Sequence, residues 1–101
     1  MARKLKAISP GEVLLEEFLK PLGISQSGLA RDLNVPVGRV SDIVQGKRAI
    51  TPDTALRLAV YFNMTPEFWM NLQSHYDLKL AKQNLLPKIE RSVKKVERKA
   101  A

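Results

Sequence analysis

Within NVPVGRVSDIVQGKR, residues 34–48, the side chains that can make directed hydrogen bonds crowd together. At about 100° per residue, Gly38, Ser41, Asp42 and Gln45 share one side of a short helix, with Arg39 at its flank. Val40, Ile43 and Val44 take the opposite side, which is all that a core needs. The polar side therefore offers its donors and acceptors to something outside. Arg39 has the reach and fork geometry for the O6/N7 edge of guanine. Ser41 and Gln45 suit base edges or phosphates, and Gly38 removes bulk so that backbone can approach a groove. Asp42 would be repelled by phosphate, so it either accepts from a cytosine amino group or orients Arg39. Val37, at the start of the stretch, is counted with this face.

The flanks extend the same chemistry. Gln26 stands at the start of the preceding helix, beside free amides that suit a phosphate, and Ser25 and Ser27 can assist there. Beyond the polar stretch, Gly46 suits a left-handed helix end. Lys47 and Arg48 sit where the chain would leave the groove, as phosphate contacts or as solvated loop charges.

The elements that must hold these residues are helical throughout. Ser9-Pro10-Gly11-Glu12 has the form of a capping box, in which Glu12 can reach back to the Ser9 amide. A first helix runs to about Lys20, with Leu14, Leu15, Phe18, Leu19 and Leu22 on one side and Glu12, Glu16, Glu17 and Lys20 on the other. Pro21 and Gly23 end it. Ser25 caps a second helix over Gln26 to Leu33, Asn34 accepts a left-handed turn, and Pro36 starts the third. Thr51-Pro52 opens a fourth helix with Ala55, Leu58, Ala59 and Phe62 inward. Thr65-Pro66 opens a fifth with Phe68, Trp69, Leu72, Tyr76 and Leu80 along one arc, from which Asn71 and Gln73 fall away toward backbone or a partner. Pro87 interrupts it. Ala30 is small where the third helix would cross the second, Asn34 follows four positions later, and Val40 and Ile43 anchor the third. Those are the requirements of a helix-turn-helix.

Composition bounds the rest. The 101 residues make one domain over residues 8–84 and a basic tail over 85–101, where Ile89, Val93 and Val96 recur at helical spacing. That tail is either a solvated helix or a segment that folds on a partner. A net charge of +7 points to a polyanionic partner. With no cysteine and no leader-like or membrane-length apolar run, the chain is expected in the cytoplasm, away from membranes. His75 is the only histidine and no metal-ligand spacing or phosphate loop occurs, so no catalysis, cofactor, metal or small-molecule substrate is expected.

The run SQSGLARDLNVPVGRVSDIVQGKRAITPDTALRLAVYF resembles the XRE-type, lambda-repressor-like helix-turn-helix. Together with SPGEVLLEEFLKPLGIS before it and TPEFWMNLQSHYDL after it, the chain is similar to the HigA (VapI) antitoxins from Ile8 to about Ala81. The resemblance implies an all-α, five-helix, lambda-repressor-like domain in a homodimer. Such a dimer represses its own promoter at a palindromic operator and neutralises HigB, a small basic ribonuclease that cuts mRNA. A repressor or adaptor without a toxin partner is the alternative.

Two further surfaces follow from helical spacing. Met70, Leu78 and Ala81 form a second apolar strip on the fifth helix, a dimer contact or a seat for the first helix or the tail. Glu12, Val13, Glu16 and Glu17 form an acidic arc on a basic protein, either solvated or suited to a basic partner, which the resemblance makes the toxin.

Overall fold

The computed structural model describes residues 7–97; the opening MARKLK and the last four residues of the 85–101 tail lie outside the described residues. Six helices and no strand occur among the described residues. The first, α1 over residues 10–22, has three contiguous parts: α-helical Pro10–Val13, π-helical Leu14–Leu19 and α-helical Lys20–Leu22. Then come α2 (Gln26–Leu33), α3 (Val37–Val44), α4 (Pro52–Phe62), α5 (Pro66–Asn84) and α6 (Leu86–Ser92). The expected five helices are present, and α6 is the helical start of the tail.

The start of α1 follows its sequence signal in its Ser9 half; no bond from the Glu12 carboxylate back to the Ser9 amide closes the box among the described residues. Ser9 Oγ accepts the Glu12 amide at 3.2 Å, and Pro10 occupies the first turn. Its end does not. Pro21 lies inside the helix, and the left-handed residue that stops it is Gly23, at φ 66°. A proline in a helix clashes with the carbonyl four residues back. Here the turn before it is widened, with the Lys20 amide reaching to the Leu15 carbonyl. The widened turn holds one residue more than an α-helical turn, so everything after it falls back by about 100°. That is why Leu14 and Leu19, five apart, are both 1% exposed. Leu22, the last helical residue before Gly23, is 60% exposed.

Trp69 lies at the centre, fully buried, with its ring 5.0 Å from those of both Phe18 and Phe68. Phe62 packs on Phe18 at 4.9 Å, so the rings tie α1, α4 and α5 together. Buried Leu29, Ala30, Leu33, Val40, Ile43, Ile50, Ala55 and Leu58 continue the core under α2, α3 and α4. Among the described residues the Trp69 indole N–H meets no hydrogen-bond partner.

Gln73 does not fall away from the Trp69 arc. It stands one turn below Trp69, buried, where its Oε1 accepts the Ile50 amide at 2.7 Å and its Nε2 donates to Asp77 at 2.9 Å. Backbone bonding makes an amide acceptable in that core. Thr51 and Thr65 are extended, as caps should be, but neither hydroxyl closes a capping bond. Their prolines open the helices through fixed φ alone.

Candidate nucleic-acid interface

The α2–α3 pair is closed by backbone chemistry. Ser25 Oγ accepts the Gly28 amide at 3.0 Å. Asn34 takes φ 60°, and the Val35 amide turns back to the Ala30 carbonyl at 3.0 Å. Ala30, 2% exposed, admits α3 at close range, and Val40 and Ile43 bury under it. At the far end Gly46 has φ 78°, and the Lys47 amide bonds the Asp42 carbonyl at 2.8 Å.

This leaves the expected face open. Val37, Gly38 and Gln45 are exposed, Ser41 and Asp42 half-buried, and Gln45 Nε2 donates to Ser41 Oγ at 3.2 Å. An added Cβ at Gly38 would meet nothing within 4 Å. Ser25 and Ser27 are exposed at the start of α2 with Gln26 half-buried beside them, so one helix start flanks α3. Lys47 is exposed and makes no ion pair among the described residues. Arg48 is 3.4 Å from Asp42.

Asp42 therefore serves Arg48 and does not orient Arg39. Arg39 is held elsewhere: its Nη1 donates to Asp53 Oδ2 at 2.7 Å. The same oxygen accepts Arg57 Nε at 2.9 Å, and Arg57 Nη1 donates to the Leu33 carbonyl at 2.9 Å. Arg57 first, then Arg39, hold the Asp53 carboxyl below its ordinary 3.8. Arg39, Arg48 and Arg57 face a cleft of about 330 Å³ between α3 and the start of α4. Tyr61 adds a second tie between α4 and α2 by donating to Asp32 at 3.2 Å. Burial, with the Asp32 carboxylate, pushes the Tyr61 phenol up.

Sequence reasoning passed over Asp53, Arg57 and Gly11. Asp53 and Arg57 stand four apart, which signals a pair on α4 but not its third member fourteen residues back. Gly11 has no signal beyond its residue type. A Cβ there would lie 1.8 Å from the Ile43 carbonyl oxygen, so α1 rests directly on the end of α3.

The helix-turn-helix family HTH_3 matches residues 15–69. Virulence-associated protein I of Dichelobacter nodosus is 49% identical over 81 residues, spanning 80% of this chain and 75% of that protein. Antitoxin HigA-1 of Vibrio cholerae is 40% identical over 75 residues, 74% of this chain and 70% of that one. The chain belongs to the HigA family of helix-turn-helix antitoxins. Its fold agrees: the Pseudomonas aeruginosa antitoxin HigA, solved with the higBA promoter, superposes with a TM-score of 0.88 at 42% identity. That match covers 91% of this chain and 100% of the other. HigA proteins are a family of DNA-binding antitoxins, not of enzymes.

Two surfaces of this HigA-family chain lie apart from α3. Glu16 and Glu17 are exposed on α1, with Glu12 and Val13 half-buried; Glu16 pairs with Lys20 at 2.8 Å, and Glu17 has no ion pair among the described residues. On α5, Met70, Leu78 and Ala81 line one open groove of about 460 Å³, with Leu78 55% exposed. Met70 also borders a neighbouring hollow shared with Leu56 of α4, so the apolar surface crosses from α5 to α4. No helix among the described residues is long and apolar enough to cross a membrane.

Proposed function

We propose that the chain is a DNA-binding autorepressor and antitoxin that acts in the cytoplasm without catalysis, cofactor or metal. It lays α3 in the major groove of an operator in its own promoter and neutralises a HigB-type ribonuclease. The observation that carries the reading is the open polar face of Gly38, Ser41, Asp42 and Gln45 on a helix whose other side is sealed into the core. Arg39 stands in the first turn of α3, where residues of a recognition helix meet base edges. Val37 stands beside it. Ser25, Gln26, Ser27, Lys47 and Arg48 flank the face as phosphate contacts. Met70, Leu78 and Ala81 carry the homodimer, and Glu12, Val13, Glu16 and Glu17 carry the toxin. Residues 8–84 form the DNA-binding domain and 85–101 a basic extension.

Competition binding on operator variants tests it. Arg39→Ala should cost about 1–3 kcal/mol at one base pair per half-site and relax preference there. Lys47→Ala should weaken all sequences alike. Equal losses on specific and random DNA for Arg39→Ala would sink the base-reading assignment. The same titrations on paired half-sites about 34 Å apart and on a single half-site test the dimer. A single half-site bound as tightly as the pair would overturn it.

A further inference from the structure

We propose that Asp53 is a positioning residue for base reading: it fixes the Arg39 fork before DNA arrives, and it lowers the affinity for DNA of any sequence. The inference rests on the reading of α3 as the recognition helix and of Arg39 as a base contact.

The geometry is that of a braced side chain. A single carboxylate oxygen of Asp53 takes Arg39 at 2.7 Å and Arg57 at 2.9 Å. Arg57 in turn is fixed on the carbonyl of Leu33, the last residue of α2. The brace thus runs from the end of α2, through α4, to the first turn of α3. Guanidinium carries five N–H donors, and the contact to Asp53 uses one of them. The other four leave a pair free for a guanine edge. The Arg39 side chain is 30% exposed, so the brace does not close it off. A long side chain ordered in advance loses less rotamer freedom on binding, which sharpens the difference between a right and a wrong base.

Asp53 also has a charge to account for. A surface that only gripped phosphates would gain from Arg39 and Arg57 and lose from a carboxylate between them. Asp42, the other acid near this face, is engaged by Arg48, so it does not share the task. Arg57 and Arg39 hold the Asp53 carboxyl below its ordinary range.

The experiment compares the full chain with Asp53→Asn, Asp53→Glu and Arg39→Ala. Each is titrated against the operator, operators changed at single base pairs, and a random duplex. For Asp53→Asn the penalty at the base pair identified by Arg39→Ala should fall about tenfold, while penalties elsewhere hold. Binding to the random duplex should tighten, because a negative charge has gone. Asp53→Glu should restore the weak random binding but not full discrimination, because its carboxylate stands one methylene further out. Loss of affinity on all duplexes alike for Asp53→Asn, with the Arg39 base pair still discriminated, would overturn the positioning role and leave Arg39 a base contact. An even loss for Arg39→Ala itself would overturn both.

Discussion

Gly38 separates what the fold needs from what the interface needs. It is helical and exposed, and an added methyl would meet nothing in the protein. Gly38→Ala should therefore stabilise the chain by about 0.5–1 kcal/mol, the usual helix difference between the two residues. The same methyl would stand between the α3 backbone and the groove, so operator binding should weaken. Denaturant melts and operator titrations on one preparation check both signs. Unchanged or tighter binding would mean that the backbone does not approach DNA at this position. Single residues of this kind were legible in the sequence because a helical wheel places them directly. Arg39 was legible as a donor near the groove, but its brace was not, since Asp53 reaches it only after the chain has turned from α3 into α4. Gln73 was misplaced on the wheel: four residues after Trp69 it belongs on the same arc, and the backbone bond expected of it is the one it makes with Ile50.

Among the elements, the contact of α1 with α3 is the least forgiving. Glycine to alanine in a helix ordinarily helps, but Gly11→Ala would drive a methyl into the Ile43 carbonyl and part the two helices. The variant should lose about 1–3 kcal/mol, the range for overpacking, with α3 displaced at its C-terminal end. Melting curves decide the sign; a gain in stability would show that the helices slide apart freely. The helices themselves, their caps and the left-handed stop at Asn34 could be read from turn chemistry and periodicity. The π-helical stretch of α1 could not, because a wheel assumes one constant angle per residue. Leu19 joins Leu14 in the core for that reason, and Pro21 sits inside the helix it was expected to end.

At the scale of the molecule, charge is divided. The net balance is +7, yet α1 shows an acidic arc, with Glu17 exposed and Glu16 on a surface pair of the kind worth at most about 1 kcal/mol. Glu16→Lys with Glu17→Lys should leave fold and operator binding intact. It should slow and weaken association with a basic toxin partner at least about tenfold at low salt. Partner kinetics measured beside circular dichroism would settle it, and unchanged partner binding on an intact fold would move the toxin elsewhere on the chain. The chain is also drawn out, with a radius of gyration of 17.7 Å against about 13 Å for a compact domain of this length. Beyond the body, α6 keeps Leu86 and Ile89 40% and 46% exposed. Composition marked this end as charged and helical in spacing. Its extension away from the core follows from α5, whose 19 residues outrun the bundle it packs on.

The chain has a single tryptophan, and it is fully buried. The protein thus carries its own fluorophore at the junction of α1, α4 and α5, away from the open face of α3. Its emission should be that of an indole in an apolar, ring-lined site, and should shift to longer wavelength when that junction opens. Light from Trp69 therefore registers the integrity of the scaffold, while ligand-induced change at α3 needs a dye placed elsewhere.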